Sequence, residues 1–225
     1  ASQNNVGKKK TGTLKPQCFQ YEPSQGQVLA VGFQTGLISF LDVDTLSDVA
    51  SFSTTQDAIV DIVFSPSGQF MAAHDAMKRV LIWSKGAPDL NDEIGTEVSK
   101  DKQQSYTFIG RAIAHTSRIV GLVFGNREGT EVLISVGEDR KAIEYDLKES
   151  SVENGVVIID TPTRLELVPR PTAVCWHPHC GDDNEDRFII ANEDFKFKEF
   201  NSESKQCRNT TLTPAFGGPL TTIIP

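Results

Sequence analysis

EVLISVGEDRKAIEYDL, residues 131–147, is the stretch that decides the fold. It contains two apolar runs, 132–136 and 142–147, separated by a segment that begins Gly-Glu-Asp-Arg. The first run is rich in β-branched residues. The second alternates, with Ile143 and Tyr145 on one side and charged residues on the other. Two such runs joined by a few residues that include Gly and Asp predict a β-hairpin.

Similar patterns of strand, turn and strand occur three more times, so that the chain divides into four units at about 14–55, 56–114, 115–162 and 163–215. Each unit has an aromatic residue at the end of its first strand: Tyr21, Phe64, Phe124 and Trp176. A second aromatic residue repeats in each third strand: Phe40, Trp83, Tyr145 and Phe200. A repeat of roughly 40–60 residues with four strands per unit is typical of β-propeller blades. We therefore predict an all-β propeller of about four blades, each with four antiparallel strands.

The composition excludes several classes of function. The chain has 22 basic and 30 acidic residues and a net charge of −8, whereas binding to nucleic acids or anionic membranes depends on clustered Lys and Arg. No apolar run reaches the roughly 18 residues that span a bilayer. The four cysteines are irregularly spaced, which favours reduced thiols over a disulfide framework. We predict no nucleic-acid or membrane partner, and a flexible leader over residues 1–13.

Phe64-Ser-Pro-Ser-Gly68, Ile82-Trp83 and the hairpin over 137–146 resemble WD repeats. The resemblance implies a structural network of a His before the first strand, a Ser in the second strand, an Asp in the following turn and an aromatic residue in the third strand. The third blade matches with His115, Ser135, Asp139 and Tyr145, where Tyr stands in place of the usual Trp. In the other blades the resemblance retains Asp75 and Asp194 as turn aspartates. No His precedes the second blade, and Leu167 occupies the corresponding position of the fourth.

The segments 114–125, 135–147, 192–208 and 214–225 are similar to ciliary WD-repeat proteins of the radial spoke. This resemblance implies a non-enzymatic scaffold without cofactors, located in the cytoplasm and cytoskeleton at the axoneme of a cilium or flagellum. Its partners would be other axonemal proteins, at the radial spoke base and in the calmodulin- and spoke-associated complex, within a large hetero-assembly. The alternative is a cytoplasmic WD-repeat adaptor that acts on microtubules or in trafficking.

Four blades are fewer than a closed propeller usually contains, because closure is what removes exposed sheet edges. Residues 216–225 end in Leu-Thr-Thr-Ile-Ile-Pro, which is typical of the first strand of a further blade. We therefore predict that these blades form part of a larger propeller.

Three groups of residues could carry chemistry. His115, Ser135 and Asp139 have the residue types of a hydrolase triad, but without a Gly-x-Ser-x-Gly turn we favour a buried structural network. Cys175, His177, His179 and Cys180 could bind zinc, although their spacing matches no common zinc motif. The run 182–186 could bind calcium, but it lacks the ligand spacing of a calcium loop. We predict no catalytic residue, no metal and no cofactor.

In a strand meander, the connections between first and second strands and between third and fourth strands leave the blade at one end. The long insertions at 86–105, 148–154 and 180–187, and a shorter one near Arg127, all fall at this end, which we call the insertion face. They carry acidic side chains: Asp89, Asp92, Glu93, Glu97, Glu128, Glu149, Glu153, Asp182, Asp183, Glu185 and Asp186. We predict that this acidic face binds the partner proteins.

Overall fold

The computed structural model of the protein describes residues 14–24, 26–86, 106–177, 185–212 and 220–223. These residues form sixteen β-strands in four sheets. Within this part of the chain there is no helix long and apolar enough to cross a membrane. The predicted leader, residues 1–13, lies outside the described residues.

The first two sheets are consecutive in the chain. Sheet one contains β1 (Pro16–Tyr21), β2 (Val28–Phe33), β3 (Leu37–Asp42) and β4 (Asp48–Ser53). Sheet two contains β5 (Ile59–Phe64), β6 (Phe70–Asp75), β7 (Arg79–Lys85) and β8 (Tyr106–Ile113).

The last two sheets follow the same plan. Sheet three contains β9 (Ile119–Arg127), β10 (Thr130–Gly137), β11 (Lys141–Ser151) and β12 (Gly155–Arg164). Sheet four contains β13 (Pro171–Trp176), β14 (Arg187–Asn192), β15 (Lys196–Asn201) and β16 (Cys207–Leu212).

In every sheet the strands follow one another in chain order and pair antiparallel. The predicted fold of four blades with four antiparallel strands each is therefore confirmed. Consecutive blades meet through their first strands, since β1 contacts β5, β5 contacts β9, and β9 contacts β13. We number the blades 1 to 4 in chain order.

The core consists of three apolar layers, each between two successive blades. Phe40 of blade 1 and Trp83 of blade 2 lie in the first layer, and Ile82 and Tyr145 lie in the second, between blades 2 and 3. The third layer, between blades 3 and 4, contains the stacked rings of Phe188 and Phe200. Because alternate side chains of a strand point to opposite faces, each blade contributes to the layers on both of its sides.

The aromatic residues of the four third strands do not all occupy equivalent positions, because Phe40 of blade 1 is one residue out of register with the other three. Trp83 pairs with Met71, and the equivalent partners of Tyr145 and Phe200 in their own blades are Leu133 and Phe188. The equivalent pair in blade 1 is Leu29 with Leu41, one residue beyond Phe40. A shift of one residue reverses the face to which a strand side chain points. Phe40 therefore packs toward blade 2, while Trp83, Tyr145 and Phe200 pack toward the preceding blade.

Two predicted connections differ from the structure. Residues 148–151, expected in an insertion, extend β11, so that the hairpin of β11 and β12 is the longest in the described chain and turns at 152–154. Residues 220–223, expected to begin a further strand, form no strand and lie beside β5, β9 and β13 at a groove of about 500 Å³. The insertion 87–105 and residues 178–184 lie outside the described residues.

The end of the blades opposite the insertion face carries the turns between second and third strands, at 34–36, 76–78, 138–140 and 193–195, and the connections between blades. We call this end the turn face. In blades 2, 3 and 4 the third residue of the turn has a positive φ: Lys78, Arg140 and Phe195. Because these turns share a backbone conformation, each residue of one turn has an equivalent residue in the others.

Candidate docking faces

His115 lies at the start of a chain of hydrogen bonds through blade 3. Its Nδ1 is 2.9 Å from Oδ1 of Asp139 and its Nε2 is 2.8 Å from Oγ of Ser135. The hydroxyl of Tyr145 lies 3.0 Å from the same Oγ. All four predicted members of the network are therefore in contact, and the phenol of Tyr145 takes the place of an indole N–H.

Burial lowers the pKa of His115, although the carboxylate of Asp139 opposes this effect. Burial acts in the opposite direction on Asp139, but hydrogen bonds from His115 and from the amide of Thr116 keep the pKa of that carboxyl below its usual value. A neutral His115 donates from Nδ1 to Asp139 and accepts at Nε2 from Ser135. Ser135 is fully buried, so its hydroxyl meets no substrate from solvent. The arrangement fixes the strand connection to the blade.

Blade 2 builds a related network without histidine. Thr55 occupies the position of His115, and its Oγ1 donates to Oδ2 of Asp75 over 3.3 Å. Asp75 accepts the amides of Met77 and Arg79 at 2.9 and 3.0 Å, and the guanidinium of Arg79 binds Asp75, Thr55 and Asp57. Asp75 stands where blade 3 has Gly137, two residues before the position of Asp139. A carboxylate from a neighbouring position therefore takes over the role of the turn aspartate.

In blade 4 the same role belongs to Asn192. Its Oδ1 accepts the amides of Asp194 and Lys196, and its Nδ2 donates over 2.9 Å to Glu166, which binds Lys198. Asp194, expected in the network, has a side chain that is 53% exposed and, among the described residues, pairs only with Lys196 at 3.8 Å. Sequence reasoning missed Asn192 and Glu166 because neither has the residue type of the WD pattern.

Side chains at the insertion face hold neighbouring blades in a fixed arrangement. Arg127 of blade 3 makes a bidentate pair with Glu144 at 2.9 and 3.1 Å and donates to the carbonyl of Ser202 in blade 4. Lys205 of blade 4 binds the same carboxylate. Burial tends to raise the pKa of Glu144, but the hydrogen bonds from Arg127 and Lys205 keep it below its usual value. Blades 3 and 4 are thereby held together by charge-assisted contacts outside the apolar layer.

The predicted acidic surface lies partly outside the described residues, which exclude Asp89, Asp92, Glu93, Glu97, Asp182 and Asp183. Of the described members, Glu128, Glu149 and Glu153 are exposed at the insertion face. Glu185 is already bound by Arg208, with contacts of 2.8 and 3.0 Å, and Asp186 is partly buried. Of the predicted acidic residues that the structure describes, three glutamates therefore remain exposed at the insertion face.

Cationic side chains gather at the turn face among carboxylates that include Asp57, Asp75, Glu138, Glu166 and Glu193, and the sequence did not predict this grouping. Blades 2 to 4 present cationic side chains at their turns and connections: Lys78, Arg79, Arg118, Arg140, Lys141, Arg164 and Arg170. The same face exposes the apolar side chains of Met77, Ile113, Leu167 and Val168. The signal was present in the sequence, but these residues are scattered over 93 positions and only the topology brings them to one end.

The candidate zinc site is incomplete in the described residues. Cys175 is buried in β13, and His177 follows this strand, while His179 and Cys180 lie outside the described chain. The described residues contain no group of three or more His, Cys, Asp or Glu side chains that could hold a metal ion. Cys18, Cys175 and Cys207 are free thiols.

Comparison with solved structures identifies the fold. No protein-family model matches the chain. The solved structure of U3-55K matches with a TM-score of 0.65 at 13% identity, over 92% of this chain and 54% of that one. The WD40 repeats of RRP9 match with a TM-score of 0.61 at 14% identity, over 88% and 51%. The WD-repeat fold predicted from the sequence is confirmed.

Curated relatives extend the comparison to sequence. Cilia- and flagella-associated protein 251 of Mus musculus is 29% identical over 211 residues, which cover 92% of this chain and 15% of that protein. The protein of the same name from Chlamydomonas reinhardtii is 28% identical over 162 residues, which cover 68% and 18%. The chain therefore spans less than one fifth of the length of these relatives.

Proposed function

We propose that the chain is a non-enzymatic docking scaffold of the ciliary or flagellar axoneme, which binds neighbouring proteins at the base of a radial spoke and so supports ciliary motility. The observation that carries this proposal is the similarity of 92% of the chain to cilia- and flagella-associated protein 251. The geometry is in keeping with it, because the polar side chains of the blades are used to hold turns and neighbouring blades. What remains exposed are charged and apolar groups at the two ends of the blades.

The location can be tested by proximity labelling in a ciliated cell. The 225-residue chain, fused to a biotin ligase, should label axonemal proteins of the radial spoke base. A ligase fused to an unrelated WD40 propeller serves as the matched control. Enrichment of cytoplasmic trafficking or microtubule-associated proteins, without spoke proteins, would instead support the alternative of a cytoplasmic adaptor.

The absence of catalysis requires a separate test. The purified chain and a variant with His115→Ala and His177→Ala should both show no turnover in a broad screen of ester, peptide and phosphate substrates. A hydrolytic activity that the double variant loses would contradict the proposal that the chain is not an enzyme.

A further inference from the structure

A cavity of about 460 Å³ opens on the turn face between blades 3 and 4. One wall is the turn of blade 3 with Arg140 and Lys141, and the other is the connection to blade 4 with Arg164 and Arg170. The hydroxyl-bearing residues Thr116 and Ser117 complete the lining. Donor groups from three separate segments of the chain therefore converge on one concave surface.

The charges of the cavity are unbalanced in favour of cations. Its lining contains two carboxylates, Glu138 and Asp139, against four cationic side chains. Asp139 is already occupied by His115 and by the amide of Thr116, and Glu138 lies 3.3 Å from the exposed guanidinium of Arg118. In a chain with a net charge of −8, such a local excess of positive charge attracts anions against the overall field.

Several of the cationic groups lack strong partners in the part of the chain that the structure describes. Arg140 makes one long hydrogen bond, 3.4 Å from its Nη1 to the carbonyl of Val168, and its buried Nε has no acceptor. Lys141 and Arg170 have no carboxylate within 4.0 Å of their charged groups in the described part of the chain. The buried Nε of Arg140 is out of reach of solvent, but the rest of its guanidinium and the charged groups of Lys141 and Arg170 line the cavity and can bind an anion.

Arg164 differs from these three because its position is fixed. Its Nε donates to the carbonyl of Glu166 over 2.9 Å and its Nη2 donates to that of Leu167 over 2.8 Å. These bonds hold the connection 165–170 against the end of β12. As a result, the side chains of Leu167 and Val168, each 76% exposed, are presented beside the cavity.

A cationic pocket beside an exposed apolar pair fits an anionic peptide better than a free anion, since a free anion makes no contact with the apolar groups. Among the anionic groups of peptides, a phosphate carries a charge of about −1.5 to −2 and three acceptor oxygens. It can accept from a guanidinium, an ammonium and a hydroxyl at the same time, whereas a carboxylate has two oxygens and one charge. Clusters of Arg are a recurrent means of binding such groups.

We propose that this cavity binds a phosphorylated serine or threonine of a partner protein, with apolar residues of the same peptide segment packed on Leu167 and Val168. Arg140, Lys141 and Arg170 bind the phosphate, and Arg164 positions the connection. This inference goes beyond the proposed function and does not depend on the location of the protein in a cilium.

The test is a binding measurement by fluorescence anisotropy on the 225-residue chain. The probe is a labelled, degenerate peptide pool with a fixed central phosphoserine, compared with the same pool containing serine. We expect at least tenfold tighter binding of the phosphorylated pool, weakened by added salt. Lys141→Gln and Arg170→Gln should each reduce its affinity at least fivefold.

The matched control is Lys148→Gln, the same change at an exposed lysine of the insertion face, which should leave binding unchanged. Thermal unfolding of each variant separates loss of binding from loss of the fold. Equal affinity for the two pools, equal effects of the control and the cavity variants, or binding only to acidic unphosphorylated peptides would overturn the proposal. Binding to anionic vesicles or RNA in place of the phosphorylated pool would overturn it as well.

Discussion

Trp83 and Tyr145 occupy equivalent positions in blades 2 and 3, but only one of them has its polar group satisfied. The hydroxyl of Tyr145 contacts Oγ of Ser135, whereas Nε1 of Trp83 is buried without an acceptor among the described residues. The difference arises in the second strand, where the equivalent of Ser135 is Ala73. An unpaired buried donor costs about 1–3 kcal/mol. At the scale of residues, blade 2 therefore has the aromatic ring of the WD pattern without the hydroxyl group that would accept its N–H.

We predict that Ala73→Ser stabilises the chain by about 1 kcal/mol, because the new hydroxyl accepts the N–H of Trp83. Urea unfolding followed by tryptophan fluorescence measures the change. The same substitution in a Trp83→Phe background is the control and should give no gain. A destabilisation of similar size in both backgrounds would show that the added oxygen does not meet the indole.

Asp61 is a second residue whose burial has a measurable consequence. It lies in β5, where it pairs with His74 of β6 and lines the groove beside β5, β9 and β13. Its carboxylate accepts the amide of Ile62. Burial raises the pKa of Asp61 to about 6. Since the folded state binds this proton more tightly than the unfolded chain, the contribution to stability is complete below about pH 4. It is lost as the pH rises through about 6.

We predict that Asp61→Asn increases the free energy of unfolding relative to the wild type, and that the increase grows by about 1–2 kcal/mol from pH 4.5 to pH 7.5. The asparagine retains the acceptor and removes the charge. Urea unfolding at the two pH values measures both proteins. His74 is present in both, so its own titration cancels in the difference. A constant difference between the proteins at the two pH values would contradict the prediction.

At the scale of elements, each strand follows from the alternation of apolar and polar residues. The arrangement of the blades depends on the side chains that are packed between them. β9 and β13 approach closely at two glycines of β9: a Cβ atom on Gly121 would lie 2.9 Å from Val174, and Gly125 faces the indole of Trp176. A Cβ atom on Gly125 would lie 2.1 Å from the ring. The glycine is needed there for space and not for an unusual backbone conformation. The contact joins the two blades at the end of their first strands, next to the ion pairs of Arg127.

We predict that Gly125→Ala destabilises the chain by about 1–3 kcal/mol, because the methyl group forces Trp176 out of its position. Gly86→Ala is the control, since no atom of the described residues lies within 4 Å of a Cβ atom at that position. Thermal unfolding measures stability, and the emission of Trp176 should shift as its ring becomes exposed. An unchanged midpoint with an unchanged emission would contradict the prediction, because it would show that the added methyl group fits without displacing Trp176.

For the whole molecule, the feature that matters is that the two ends of the blades present different groups. The described insertion face exposes Glu128, Glu149 and Glu153, whereas four cationic side chains of the turn face line a cavity and lie beside apolar groups. The two ends are therefore suited to different partners. Sheet one also exposes Phe19 and Tyr21 on its face away from blade 2, with 69% and 52% of each side chain accessible.

We predict that reversing the charge of Glu128, Glu149 and Glu153 to lysine weakens the labelling of axonemal partners while the thermal midpoint changes little, because these side chains are exposed. Proximity labelling with the triple variant measures the effect. A variant with Asp194→Lys, an exposed aspartate of the turn face that does not line the cavity, is the control for charge alone. Unchanged labelling by the triple variant would show that the insertion face does not bind the partners.

The sequence by itself determined the fold class, the number of blades and most strands, because a two-residue alternation and repeated turn residues are local signals. It also identified the complete network of His115, Ser135, Asp139 and Tyr145, since all four have the expected residue types. It did not locate the equivalents of that network in blade 4, where Asn192 and Glu166 do the same work with other functional groups.

Only the tertiary structure decided the register of Phe40, the burial of Asp61 and the location of the basic cavity. Register is set by which residues pair across strands, and one position reverses the face of a side chain. The cavity joins residues of one turn and two inter-blade connections, which are distant in the chain and have no common motif. Such a site arises from the packing of blade on blade, so its residues can be recognised as a group only after the chain has folded.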